Sequence, residues 1–283
     1  MAEIGRINTL KVIKTAPQGV YLQGGWLGQV LLPTRSVPEG CEVGDELDVF
    51  VYLDSEDRYI ATTQTPIVQV GEAASLKVAD INDIGAFLDW GMPKQLLVPF
   101  SQQQIPMQKG KSYVVYVYSD ERTRRIAASS KLNKFIFHKA DGMKKGQSVS
   151  LLITDKTDIG YVAIVDHKSW GVLFYSEVSK PLHVGQTVPG YIKRIREDGK
   201  IDLSLLPPGY AKVEGLSAKV LAEVKKQQGF LPLSDSSSPA LIQQKFGVSK
   251  RVYKMAIGAL FKQKLITIEE NGIRITEKGK NVR

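Results

Sequence analysis

Three stretches of the chain align without gaps when each is anchored on a glycine. They are QGVYLQGGWLGQVLLPTRS from Gln18, IGAFLDWGMPKQLLVPFSQ from Ile84 and IGYVAIVDHKSWGVLFYSE from Ile159, anchored at Gly19, Gly85 and Gly160. A second glycine stands 25 residues after each anchor, at Gly44, Gly110 and Gly185. An isoleucine stands 41 residues on, at Ile60, Ile126 and Ile201, and a hydroxyl residue 44 on, at Thr63, Ser129 and Ser204. Agreement at four positions in three copies makes the repeat the unit of folding.

Each copy reads as short strands. DELDVFVYLD and KSYVVYVYSD alternate apolar and polar residues, with Leu47, Val49 and Val51 matching Tyr113, Val115 and Val117. That period marks half-buried strands. VLLP, LLVP and VLFY are brief apolar runs suited to buried strands, and an apolar strand opens each copy around Leu10, Leu76 and Leu151. About 65 residues with roughly five strands suit a small closed barrel, whose closure removes exposed sheet edges. The expectation is three five-stranded barrels over residues 1–66, 67–131 and 132–206, with the glycines at tight turns or close backbone approaches.

Residues 207–283 change character. LPPGYAKVEG reads as a linker, because adjacent prolines break regular structure. LSAKVLAEVKKQQ has helical spacing through Leu216, Val220 and Val224. SPALIQQKFG reads as a short helix with Pro239 in its first turn, and VSKRVYKMAIGALFKQK as a third with Ser249 as N-cap and Val252, Ala256 and Leu260 on one face. LITIEENGIRIT predicts two strands about Asn271-Gly272. Three helices and a hairpin give the α+β winged-helix order.

Chemistry for catalysis is thin. The three histidines, His138, His167 and His183, share no ligand spacing with one another or with the single cysteine, Cys41. Phosphate-binding, dinucleotide-binding and nucleophile-elbow motifs are missing, and pairs such as Glu56-Asp57 fall in polar turns. No enzyme activity, metal or cofactor is therefore expected. One cysteine fits a reducing compartment, and no apolar run nears the ~18 residues of a membrane span. A cytoplasmic protein without a signal peptide or membrane association is the resulting expectation.

Charge points to a polyanion. The net is +9 overall, but −4 over residues 1–66, +2 over 67–131, +3 over 132–206 and +8 over 207–283. Basic surfaces attract nucleic acid by releasing its counterions. Single strands are held by basic grooves with aromatic platforms for stacking. The second copy offers Phe87 with Arg122, Arg124 and Arg125; the third offers Phe174 with Lys193, Arg194, Arg196 and Lys200. Trp90 and Trp170 lie beside these faces, whereas Tyr161, next to an anchor glycine, suits the core.

GAFLDWG, LLVPFS and RRIAASS in the second copy, with SWGVLFYSE and GKIDLSLL in the third, resemble the S-one domain, an RNA-binding OB-fold module. Three such modules ahead of FGVSKRVYKMAIGALFKQKLI and GIRIT resemble the conserved virulence factor B family of bacteria. The resemblance implies base-stacking aromatics just after the anchor glycine, where Tyr21, Phe87 and Val162 stand. Before the glycine stand Gln18, Ile84 and Ile159; the family's histidine position holds Pro33, Pro99 and Phe174; its final basic position holds Tyr59, Arg125 and Lys200. In the winged helix, Lys250, Arg251 and Lys254 on the third helix and Arg274 on the wing are the candidate contacts. The implied function is a regulator of gene expression binding single-stranded RNA, with the ribosome as a possible location. A DNA-binding transcription regulator acting through the winged helix and a scaffold whose barrels bind proteins, for which the acidic first module speaks most, are the alternatives. The sequence carries no statement about oligomeric state.

Overall fold

A computed structural model describes residues 2–281 except Ser55, Ser179 and Gly209; the side chains at 210–212 and 214 stand outside the description. The chain divides into two compact units, Met1–Leu205 and Leu206–Arg283.

The first unit holds three closed five-stranded barrels. Barrel one comprises β1 (Ile7–Ala16), β2 (Gly19–Gln23), β3 (Gln29–Pro33), β4 (Glu46–Leu53) and β5 (Tyr59–Thr62). Barrel two comprises β6 (Ala73–Ile81), β7 (Gly85–Asp89), β8 (Leu96–Pro99), β9 (Ser112–Ser119) and β10 (Ile126–Ser129). Barrel three comprises β11 (Ser148–Lys156), β12 (Gly160–Val165), β13 (Ser169–Phe174), β14 (Thr187–Ile195) and β15 (Ile201–Ser204). In each, the third and fifth strands pair in parallel and the other pairs are antiparallel.

The repeat residues do the same work three times. Gly19, Gly85 and Gly160 face Pro33, Pro99 and Phe174 across the second and third strands. A Cβ there would lie 2.0, 2.3 and 2.3 Å from the carbonyl oxygens of Leu32, Val98 and Leu173, so only glycine fits. The N–H groups of Gly44, Gly110 and Gly185 donate to the carbonyls of Val12, Val78 and Ile153. The first strand slips register immediately after that acceptor, between Val12/Lys14, Val78/Asp80 and Ile153/Asp155. This bulge bends the long first strand so that it pairs with two neighbours around the barrel. The hydroxyls of Thr63 and Ser129 donate to the carbonyls of Ser36 and Gln102, tying the last strand to the turn that follows the third.

Alternation fails at one instructive place. Phe50 lies between Val49 and Val51 on β4, yet all three are buried. Val49 and Val51 fill barrel one, while Phe50 packs edge-on against Trp90 of barrel two, with ring centroids 5.6 Å apart. The fourth strand is therefore buried on both faces. Its counterpart β9 repeats the device: Tyr116 and Tyr118 stack on Phe135 of the segment leading to barrel three, at 4.6 and 5.3 Å.

The second unit contains α1 (Tyr210–Lys226), β16 (Phe230–Leu231), α2 (Pro239–Phe246), α3 (Lys250–Lys262), β17 (Ile266–Glu269), β18 (Gly272–Ile275) and α4 (Glu277–Lys280). Its sheet runs β16-β18-β17. Three expectations shift. The segment read as a linker is already helical from Tyr210, because Val213 buries with Leu216, Val220 and Val224. On α3 the inward face centres on Tyr253, Ala256, Ile257 and Leu260, with Val252 only partly buried; the Tyr253 hydroxyl donates to the Leu233 carbonyl at 2.9 Å. Ser249 is the N-cap residue of α3 but makes no side-chain capping bond. The hairpin turn is Glu270-Asn271, with Gly272 inside β18. Gly272 is needed because a Cβ would stand 2.4 Å from the Leu231 carbonyl of β16.

Candidate nucleic-acid interface

The second, third and fifth strands of barrel two expose Phe87, Leu97 and Ile126 along the floor of a cleft of about 640 Å³. Phe87 and Leu97 are register partners on β7 and β8, so their side chains share a face. Arg122 and Arg125 rise from the β9–β10 hairpin on one side, Lys94 from the β7–β8 loop on another, and Tyr52 and Leu53 of barrel one complete the wall. Asp120 organises the hairpin. Its carboxylate accepts the Thr123 N–H, the Thr123 hydroxyl and the Arg122 N–H, and these bonds, Thr123's foremost, hold it below the usual carboxylate range.

Two of the hairpin arginines reach across to barrel one. Arg125 donates through Nε and Nη2 to Asp57 Oδ1 at 2.8 and 2.7 Å. The Arg124 guanidinium lies 5.6 Å from the centroid of the Trp26 ring, and Arg124 adopts φ 58° in the hairpin turn. Arg122 lines the cleft and makes no side-chain hydrogen bond or salt bridge among the described residues, while its charge helps hold Asp120 ionised. Lys94 Nζ donates to the carbonyls of Leu53 and Asp54. Glu56-Asp57, read as a solvated turn, thus supplies the carboxylate that bridges two modules. Trp90 is a packing residue, buried with its indole N–H on the Lys94 carbonyl.

In barrel one, Tyr21 occupies the Phe87 position and accepts from Gln18 Nε2 at 2.8 Å. Tyr59 stands where Arg125 does and packs edge-on to Trp26. Cys41 is partly buried against this barrel's core; burial and then Asp45 push its thiol up.

Barrel three distributes its predicted residues over different surroundings. Phe174 sits under the Arg196 guanidinium at 5.9 Å, and Arg196 pairs with Asp202 at 2.6 Å. Lys193 pairs with Glu177 at 2.6 Å. Arg194 is exposed with no side-chain partner among the described residues. Lys200, paired with Asp198 at 2.9 Å, borders a second cleft of about 720 Å³. Tyr161 is buried in the core.

On the winged helix, Arg251 is exposed without a side-chain partner among the described residues. Lys250 donates to the Ser236 carbonyl and Lys254 pairs with Asp235 at 3.5 Å. Arg274 makes a two-point bond with Glu269, at 2.7 and 3.1 Å, and covers the Phe230 ring at 4.8 Å.

The S1 domain family, the S-one module, matches residues 4–64 and 70–129, and the CvfB-like winged helix domain matches residues 218–275. Conserved virulence factor B of Staphylococcus epidermidis is 26% identical over 98% of this chain and 96% of that protein. The chain thus carries two S1 matches and a CvfB-like winged-helix match in one polypeptide, in the order expected from the sequence. The uncharacterized protein YitL of Bacillus subtilis is 28% identical over 95% of this chain and 92% of its own length. A solved multidomain protein with nucleic acid binding domains from Streptococcus pneumoniae covers 96% of the chain at 22% identity, with a TM-score of 0.38.

The families that match are a nucleic-acid-binding domain and a winged-helix domain. The S1 matches end at residue 129, and the third barrel has the same strand order as the two that match. Among the described residues no His, Cys, Asp and Glu cluster could hold a metal ion, and no helix is long and apolar enough to cross a membrane. Sequence reasoning missed the cleft walls Tyr52, Leu53 and Lys94. Tyr52 and Leu53 belong to a different repeat from Phe87 and meet it only across the joint between barrels, and Lys94 stands on the loop after the Phe87 strand. The outward aromatic pair Phe50 and Tyr52 on β4, matched by Tyr116 and Tyr118 on β9, was the available signal.

Proposed function

We propose that this chain binds single-stranded RNA, with barrel two as its principal base-stacking site. The observation that carries the reading is the joint placement of Phe87 and three cations, Lys94, Arg122 and Arg125, around one apolar-floored cleft. A base can stack on the ring while the cations hold the flanking phosphates, the combination that single strands need and a stiff duplex cannot enter. The protein acts without catalysis, in the cytoplasm, as a regulator of gene expression working on RNA or at the ribosome. Duplex-DNA reading by the winged helix is the second reading, resting on Lys250, Arg251, Lys254 and Arg274, of which Arg251 is exposed without an ion pair among the described residues.

The test is a titration of labelled single-stranded RNA and duplex DNA of equal length at matched salt, because affinity for any polyanion falls steeply with salt. Tighter RNA binding is expected. Tighter binding of the duplex would transfer the function to the winged helix.

A further inference from the structure

We infer that the β4–β5 turn of barrel one is a built-in competitor for the cleft of barrel two, with Asp57 standing where a phosphate would bind Arg125. This rests on the RNA reading above and concerns how that site is regulated. The last hairpins of the three barrels share their spacing. Asp57 and Tyr59 correspond to Thr123 and Arg125, 66 residues later, and those to Asp198 and Lys200, a further 75 on. Barrel three has both an acid and a base at these positions, and they pair within one hairpin at 2.9 Å. Barrel one has the acid without the base, and barrel two the base without the acid. The unmatched groups meet across the joint, where Asp57 Oδ1 accepts from Arg125 Nε and Nη2 at 2.8 and 2.7 Å. Arg58, the cation next to Asp57, pairs instead with Asp54 and Glu56.

Barrel one offers acceptors to the neighbouring cations as well. The Leu53 and Asp54 carbonyls accept from Lys94 Nζ at 3.4 and 3.3 Å, and the Trp26 ring centroid lies 5.6 Å from the Arg124 guanidinium. A carboxylate, two carbonyls and an aromatic ring stand in for the phosphate oxygens, base carbonyls and base ring of a strand. A guanidinium binds carboxylate and phosphate oxygens through the same N–H groups, so Arg125 cannot serve Asp57 and RNA at once. Arg122 has no such bond to exchange and is available to an incoming strand. The contact is a mask rather than a lock. The Arg125 and Asp57 side chains are 50% and 59% exposed, and exposed pairs are weak. A strand that also stacks a base on Phe87 displaces the carboxylate readily, whereas a polyanion without bases brings charge alone. The mask weakens both by the same factor, which leaves the weaker ligand unbound at concentrations where stacked RNA still binds.

The test uses the full chain and an oligouridylate of about 20 nucleotides, since one OB module occupies roughly 4–16. Affinity is measured against salt for the native protein, Asp57→Asn, Arg125→Ala, the double variant and Glu42→Gln. Asparagine keeps the side-chain shape and tolerates the φ of 59° at this position, and the Phe50–Trp90 contact of the joint stays in place. Glu42→Gln removes the same charge from an exposed loop of barrel one outside the cleft. Asp57→Asn is expected to melt as the native chain does and to bind RNA about two- to fivefold more tightly at low salt. Its log–log salt slope should steepen by about 0.7, one further phosphate contact, so that its affinity converges on the native value as salt rises. Arg125→Ala should weaken binding, and adding Asp57→Asn to it should restore nothing, because the mask acts through Arg125. Glu42→Gln should stay within about 1.5-fold of native. An equal gain in the Arg125→Ala background or in Glu42→Gln would reduce the effect to general charge repulsion and overturn the mask. Unchanged or weaker binding by Asp57→Asn would overturn it as well, the latter making the bridge a contact that positions Arg125. If neither the native chain nor Asp57→Asn bound the oligouridylate, the RNA reading itself would fall, and the mask with it.

Discussion

Phe87 and Trp90 are three residues apart and have opposite tasks. Trp90 is part of the core that barrel two shares with Phe50, whereas the half-buried Phe87 lies outside that cluster and lines the cleft. Phe87→Ala is therefore expected to leave the melting transition nearly unmoved, in contrast to the ~3–5 kcal/mol cost of truncating a core aromatic. RNA affinity should fall by about 5- to 150-fold, the equivalent of ~1–3 kcal/mol of stacking, with no change in salt slope because no charge is lost. Unfolding, or unchanged affinity in a folded variant, would remove Phe87 from the site. Glu177 gives a second residue-level expectation. Partial burial pushes its carboxyl up, but hydrogen bonds from Lys193 and Ser204 outweigh that and hold it below its ordinary value of 4.5. A carboxylate depressed in the folded state adds stability above its unfolded pKa and loses it as pH falls through the folded one. Acid titration of the unfolding free energy from about pH 6 down to about pH 3 should thus show a slope that Glu177→Gln reduces. An identical profile in the variant would mean the Lys193 pair adds nothing.

At the scale of elements, the fourth strand is what turns independent barrels into a joined unit. Phe50 belongs to the same buried cluster as Trp90, Met92 and Val68 of barrel two. Deleting residues 1–66 strips that cover, so barrel two is expected to melt earlier and to bind RNA more weakly, even though barrel one is acidic and its Tyr59 replaces the arginine of the site. A truncated protein with native melting and affinity would make barrel one a passive neighbour. The Asp57–Arg125 bridge is a smaller part of this joint: both groups are more than half or about half exposed, and such pairs contribute only ~0–1 kcal/mol. The barrels themselves were legible in the sequence, since Gly19, Gly85 and Gly160 and the glycines 25 residues on answer to backbone contacts that recur in each copy. The joints were not. Period-two patterning assumes one buried face, so it assigns Phe50 to solvent, and it has no means of pairing Tyr52 with Phe87. Likewise Gly272 invited a turn reading because Asn-Gly is a turn signal, while its actual constraint is the passing carbonyl of Leu231.

At the scale of the molecule, charge and apolar chemistry are divided between the two units. Residues 206–283 carry +8 of the net +9, while residues 1–205 carry both clefts. Each unit has its own buried core, so the chain can be divided after Leu205. The 1–205 piece is expected to keep the preference for single strands with a modest salt slope. The 206–283 piece is expected to bind polyanions weakly, with little regard to strandedness and with a steeper slope, because its interaction is counterion release with few apolar contacts. Joined in one chain, the two act at an effective concentration set by their link, which can raise affinity by about 10²- to 10⁴-fold over either part without any new contact. That gain requires an RNA long enough to engage both units. Affinity plotted against RNA length should therefore rise abruptly for the intact chain and smoothly for an equimolar mixture of the two pieces. If the intact chain and the 1–205 piece gave the same curve at low salt, the basic winged helix would contribute nothing to RNA binding, and its exposed face around Arg251 would have to be assigned to a protein partner.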